Sequence, residues 1–157
     1  MSQTPTLSLI MIVRDEEAML PGFLESAGDL FDEMIIVDTG STDETVNIAT
    51  AAGATVHHYI WTDDFAAARN VSLSHATGTW VAFFDADERL SEELVQQIEG
   101  LTMPAKSRIG AATVTMRNRL PSGSVHDAPL LRIFRRDETI RFKHRIHEDV
   151  SESVNAY

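Results

Sequence analysis

From Trp80 to Phe84 the chain is wholly apolar, and at Asp85-Ala86-Asp87-Glu88 it turns abruptly acidic. A run this short, rich in aromatic and β-branched residues, reads as a strand buried on both faces. Such a strand needs helices above and below it, which points to a parallel sheet. In open α/β sheets ligands bind outside the carboxyl ends of the strands. Asp85 and Asp87 would stand there and offer hard oxygens to a divalent cation and a phosphate ester. A D-x-D triplet by itself reads rather as a solvated turn leading to the next helix, so the rest of the chain must decide.

The same pattern recurs upstream. Leu7–Val13 reads as a first buried strand ending in Arg14-Asp15-Glu16-Glu17. Pro21 suits the first turn of a helix whose inward stripe is Phe23, Leu24 and Ala27, closed by Gly28 and Asp29. Met34–Val37 is a second buried strand that stops at Asp38. Ser41 and Glu44 have capping-box spacing, which predicts a helix starting there and ending near Gly53. Thr55–Tyr59 is a third strand, and Asp63 or Asp64 caps a helix over about Phe65–His75. Gly78 turns the chain into the Trp80 strand, after which Ser91 caps a further helix with Glu92 and Glu93 in its first turn.

Strands and helices thus alternate to about residue 100, the mark of βαβ units. Beyond Ile109 the rhythm changes. Ala111–Met116, Leu130–Phe134 and Thr139–Phe142 read as strands with turns at Pro121-Ser122-Gly123 and Arg136-Asp137-Glu138, and Ser151–Tyr157 carries no clear element. The expected fold is α/β, one domain over 1–157. A mostly parallel half spans 1–100, and a mixed, antiparallel extension spans 101–157.

Charge divides the chain in the same way. Residues 1–105 carry 18 acidic residues against only Arg14, Arg69 and Arg89, a net of −15, whereas 106–157 are net +4. The overall −11 argues against a nucleic-acid binder, whose affinity comes from neutralising phosphates. The basic final third could still meet one phosphorylated small molecule, or simply attract the acidic part. The absence of cysteine excludes disulfides and thiolate metal sites and is compatible with the cytosol, the expected location. No apolar stretch is long enough to span a membrane, and the N-terminus lacks a signal peptide's basic start and apolar core.

Acids follow three predicted strands: Asp15, Asp38 and the Asp85/Asp87 pair. In a parallel sheet these ends share one edge, although polar strand ends occur wherever strands meet solvent. No G-x-G-x-x-G follows the first strand and no G-x-x-x-x-G-K-[ST] is present, so a nucleotide must be held in another way.

Ser8–Glu17, Asp38–Thr45, Asp64–Asn70, Gly78–Leu90 and Arg132–Asp149 together resemble a family 2 glycosyltransferase with the GT-A fold, a three-layer sandwich. The match is to bacterial members with the strings VDTGSTDxT, FxxARN, FFDADE and a late IHE. Such domains often open longer proteins, sometimes with helical repeats behind, and acceptor-binding elements would follow where this chain stops.

The resemblance implies metal-dependent transfer of a sugar, with inversion, from a nucleotide-diphosphate sugar to an unidentified acceptor. Val13 and Arg14 lie where the family holds base and ribose, and Asp38 matches the acid that hydrogen-bonds the base. Arg69 matches a basic residue near the phosphates, though a surface helix cation is the alternative. Asp85 matches the acid near ribose or metal, and Asp87 the ligand of Mn²⁺ or Mg²⁺. His147 resembles a late histidine completing the metal or diphosphate site, and a surface histidine is the alternative. A general base is also needed, and the late acids beside that histidine, Glu148 foremost and Asp149, are the candidates. Two competing functions remain. A nucleotidyltransferase making nucleotide sugars would want a glycine-rich basic loop after the first strand, which Val13–Glu17 is not. A non-catalytic nucleotide-sugar-binding module would keep the fold without the transfer.

Overall fold

The computed structural model describes residues 6–102, 109–146 and 148–156. In chain order the first half runs β1 (Leu7–Val13), α1 (Leu20–Ala27), β2 (Glu33–Asp38), α2 (Thr45–Ala51), β3 (Thr55–His58), α3 (Phe65–His75), β4 (Trp80–Phe83) and α4 (Glu92–Thr102). The second half runs β5 (Ala111–Arg119), β6 (Val125–Arg135) and α5 (Ser151–Asn155). The six strands form one sheet in the order β3-β2-β1-β4-β6-β5. β3, β2, β1 and β4 are mutually parallel, while β6 joins β4 antiparallel and pairs with β5 as a hairpin.

Alternation along the strands builds three layers. On β1, Leu7, Leu9, Met11 and Val13 pack on one side with Phe23 and Ala27 of α1, Ala49 of α2 and Ile98 of α4. Ile10 of β1 points the other way, into the layer that holds Ala66 and Leu73 of α3. β4 divides likewise, Trp80 and Ala82 to the first side, Val81 and Phe83 to the second. Both faces are therefore dry, which is why these strands are apolar but for Ser8, whose hydroxyl is hydrogen-bonded to Glu33.

Strand order sets the position of the site. The chain steps outward from β1 to β2 to β3, then crosses back to lay β4 on the far side of β1. The order reverses between β1 and β4, and the crevice between their carboxyl ends is the topological switch point of the sheet. Among the described residues no helix is long and apolar enough to cross a membrane.

The structure departs from the local expectations in several places. Ser41 and Glu44 form no capping box: α2 starts at Thr45, and Glu44 at its N-cap makes no side-chain cap bond. Ser41 donates its amide to the Asp38 carboxylate (3.1 Å), and its hydroxyl accepts the Asp15 amide (2.9 Å). Asp15 accepts from the Thr42 amide at 2.7 Å, and Glu16 donates its amide to the Thr45 hydroxyl at 2.7 Å. The loops after β1 and β2 thus satisfy one another. Asp15 adopts a left-handed φ of 52°, which an aspartate tolerates better than most residues.

Thr139–Phe142 is not a strand. Ile140 and Phe142 are buried in the α3-side core, which accounts for the alternation. The backbone of Phe142 pairs with a side chain instead: its amide donates to Asn70 Oδ1 (2.8 Å) and its carbonyl accepts from Asn70 Nδ2 (2.9 Å). Ser151–Asn155, where no element was expected, forms α5, started by the Asp149 carboxylate accepting from the Ser151 amide (2.9 Å) and hydroxyl (2.7 Å). The hairpin strands also run longer than the apolar pattern indicates, to Arg119 and from Val125, because β5–β6 pairing continues over exposed residues.

Candidate functional site

A cavity of about 660 Å³ opens at the switch point. Val13 and Arg14 line it from the end of β1 and Glu16 from the loop beyond, while Thr39 follows β2 and Asp85 and Asp87 follow β4. Arg69 reaches it from α3, and Glu148 from the C-terminal segment. Trp61 and Phe65 also line it, their rings packed edge to face with centroids 4.7 Å apart. Thr39 is held against β1, its hydroxyl donating to the Val13 carbonyl at 3.1 Å.

The turn bearing the two aspartates is built by Glu88 and Arg132. The Asp85 amide donates to Glu88 Oε2 (3.0 Å), and the Glu88 amide returns to the Asp85 carbonyl (3.1 Å). Arg132 of β6 grips Glu88 through Nη2 (2.7 Å) and donates Nη1 to the Phe83 carbonyl (3.2 Å). Both side chains are nearly buried, 12% and 10% exposed. Burial pushes the Glu88 carboxyl above its usual range, and the Asp85 amide and Arg132 only partly offset that. This pair is invisible in the sequence because its members lie 44 positions apart.

Of the residues expected from sequence, Val13, Arg14, Arg69, Asp85, Asp87 and Glu148 share the cavity. Asp38 and Asp149 are not among its lining residues. Asp38 is buried at the end of β2, with Gly40 and Ser41 amides on its carboxylate and His58 Nδ1 3.2 Å away. Burial alone would raise its pKa, but the Ser41 and His58 contacts outweigh it and the net shift is downward. Asp149 is engaged at the start of α5, where burial is likewise outweighed by its bonds to Ser151 and its pKa falls. His147 lies outside the described residues.

Glu16 is the acid that sequence reading missed. Sequence pattern points to Asp15 as the acid of that strand end, but its left-handed turn commits it to Thr42 and leaves Glu16 at the cavity. Burial, then the charges of Asp87 and Asp85, hold the Glu16 carboxyl above its usual range. Trp61 and Phe65 were also missed, since nothing local distinguishes them from packing aromatics.

A second groove, of about 770 Å³, meets the first at Asp85 and Asp87. Its walls are α4, through Glu93, Leu94 and Gln97, and the β5 stretch Thr113–Asn118.

The sequence profile of glycosyl transferase family 2 matches residues 8–141. The chain belongs to glycosyl transferase family 2. It is 43% identical over 151 residues to a TPR repeat-containing protein of Synechococcus elongatus, covering 96% of this chain and 36% of that protein. It is 29% identical over 150 residues to the SPbeta prophage-derived glycosyltransferase SunS of Bacillus subtilis, covering 94% and 35%. The glycosyltransferase domain thus spans about a third of the length of these relatives. The fold is that of GT-A glycosyltransferases. Glucosyl-3-phosphoglycerate synthase of Mycobacterium tuberculosis, in complex with Mn²⁺, uridine diphosphate and glucosyl-3-phosphoglycerate, superposes with a TM-score of 0.54 at 26% identity, over 69% of this chain and 43% of that one.

Do the residues here suit a divalent cation? Among the described residues no three His, Asp or Glu side chains form a ready-made cage. Two carboxylates at a cavity edge suffice for Mg²⁺-type coordination, because phosphate oxygens and water complete the shell. Asp87 is exposed and has no hydrogen-bond or ion-pair partner among the described residues, and Asp85 has one oxygen free. Burial first, and then the charges of Asp87 and Asp85, hold the Glu16 carboxyl up, and a cation between the acids would offset the second of these. The donor set fits.

Proposed function

We propose that this domain binds a nucleotide-diphosphate sugar together with Mn²⁺ or Mg²⁺ in the switch-point cavity and transfers the sugar, with inversion, to an acceptor hydroxyl. The observation that carries this reading is the convergence of Asp85, Asp87, Arg14 and Glu148 on one cavity at the carboxyl ends of β1 and β4. Asp87, with Asp85, would hold the cation, and a histidine at 147 would suit Mn²⁺ better than Mg²⁺. When bound, the cation supplies Lewis-acid stabilisation of the charge left on the departing nucleoside diphosphate.

The remaining work falls to the chain's own side chains. Val13, Thr39 and the Trp61–Phe65 wall bound the space for base and ribose. The acceptor oxygen attacks the anomeric carbon from the face opposite the leaving diphosphate, and Glu148 takes the hydroxyl proton as general base. Glu148 Oε1 is engaged by Arg69, and Oε2 makes no hydrogen bond among the described residues. The groove between α4 and β5 opens on the same two aspartates and gives the acceptor its approach.

Calorimetry with UDP, GDP and dTDP, with and without Mn²⁺, tests the reading. At least one nucleotide should bind in a Mn²⁺-dependent way. Asp87→Ala should remove that dependence, weakening binding in Mn²⁺ by about tenfold or more, roughly 1.4 kcal/mol. Unchanged Mn²⁺-dependent binding in Asp87→Ala would sink the metal assignment. No binding of any of the three would sink the function.

A further inference from the structure

Resemblance to the family sets Arg69 near the donor's phosphates, but its surroundings fit another task. Its side chain is 3% exposed. Nη2 donates to Asp85 Oδ1 and to Glu148 Oε1, both at 2.9 Å. Nε and Nη1 are buried with no hydrogen-bond partner among the described residues. The guanidinium sits 5.6 Å from the ring centre of Phe83 and 5.9 Å from that of Phe142, so aromatic faces take the place of hydrogen-bond acceptors. Because Nε and Nη1 are buried, Nη2 is the nitrogen left to meet a phosphate, and doing so would mean releasing at least one of the two carboxylates. A buried carboxylate that loses its only cation is costly, and Glu148 is 16% exposed.

We propose that Arg69 is a positioning residue that ties Glu148 to Asp85, and that Arg14 is the cation that meets the donor's diphosphate. This rests on the donor-binding reading above. Asp85 follows β4, and Glu148 lies 79 positions from Arg69 in the C-terminal segment. One guanidinium nitrogen thus fixes the distance between the metal-side acid and the base. Asn70, the next residue of α3, holds Phe142 of the same segment, so α3 fastens that segment at two successive residues. Arg14 lines the same cavity from the end of β1 but, unlike Arg69, is exposed and forms no ion pair among the described residues.

The two arginines are separated by binding and turnover measured on the full-length protein. Binding is calorimetry with Mn²⁺ and whichever of UDP, GDP or dTDP the unaltered protein binds. Turnover is slow hydrolysis of whichever of UDP-glucose, UDP-N-acetylglucosamine or GDP-mannose the unaltered protein cleaves. Arg69→Met should lower kcat by about tenfold or more while changing nucleotide affinity less than about threefold, because it loosens the base and not the ligand contact. Arg69→Lys should recover part of kcat, since one ammonium still reaches a carboxylate but not both in the same geometry. Arg14→Met should show the reverse split, with affinity lost by about tenfold. If Arg69→Met does not fold, the Arg69→Lys and Glu148→Gln pair decides: their effects on kcat should be strongly non-additive. The proposal is overturned if Arg69 substitution weakens Mn²⁺-dependent nucleotide binding as much as Arg14 substitution does, or if the Arg69 and Glu148 effects simply add. No nucleotide binding by the unaltered protein would overturn both this proposal and the donor-binding reading, whereas normal binding with the wrong arginine pattern overturns this one alone.

Discussion

Asp85 and Asp87 are separated by a single residue and have different surroundings. Asp85 is half exposed and has one oxygen committed to Arg69, while Asp87 stands free at the mouth of two cavities. The backbone between them is fixed by Glu88, and Glu88 in turn by Arg132. Arg132→Met removes one partner of a pair whose members are 12% and 10% exposed, leaving a buried carboxylate without its cation and removing a donor to the Phe83 carbonyl. The expected cost is about 3–5 kcal/mol of stability, read as a lowered midpoint in urea. Glu33 shows the opposite balance. Burial would raise its carboxyl, but the Ser8 hydroxyl and the Thr77 amide and hydroxyl outweigh that, so its folded pKa lies below 4.5. Its contribution to stability is therefore present above about pH 4.5 and is lost as the pH falls through the folded value. Glu33→Gln should be less stable than the unaltered protein at pH 7, and the gap in melting temperature should narrow steadily towards pH 3.

Among the elements, β4 depends on its first contact with β1. Gly78 donates its amide to the Ser8 hydroxyl at 2.8 Å just before β4 begins. A Cβ at 78 would stand 2.5 Å from Ser8 Oγ, 2.9 Å from the Ser8 amide nitrogen and 3.0 Å from the Thr6 carbonyl. Two of those neighbours are backbone and cannot turn aside. Gly78→Ala should therefore destabilise by about 1–3 kcal/mol through overpacking, with a matching fall in thermal midpoint. Sequence marks Gly78 only as a turn before a strand; the need for close approach arises from the β1–β4 pairing. The helices divide in the same way. α3 begins at Phe65, capped by Asp64, whose Oδ1 accepts the Ala67 amide at 2.9 Å, and α4 is capped by Ser91, as their local signals indicate. α2 ignores an equally good signal because Ser41 finds Asp38 and Asp15 across the loop.

At the scale of the whole molecule, an acidic domain of net charge −11 gathers Glu16, Asp85, Asp87 and Glu148 around a cavity where, among the described residues, Arg14 and Arg69 oppose them. Such a site should be stabilised by a cation and nucleotide together. At about a hundredfold excess over the dissociation constant, Mn²⁺ with UDP should add about 2.7 kcal/mol. For a chain of this size that is a rise of roughly 5–11 °C in melting temperature, absent with chelator. The parallel half of the sheet is legible in the sequence, because strands buried on both faces must be apolar throughout and must end where their polar neighbours begin. The D-x-D pair is legible for the same reason, since strand ends on one edge of a parallel sheet are brought together by the topology alone. The C-terminal segment is not: Ile140 and Phe142 alternate like a strand, yet their backbone partner is the side chain of Asn70, 72 positions away. Nor are Glu16, the Glu88–Arg132 pair or the union of Arg69 with Glu148. Local pattern records which residues prefer burial and which end an element. Which charge meets which across the crevice depends on long-range packing, and only the tertiary structure decides it.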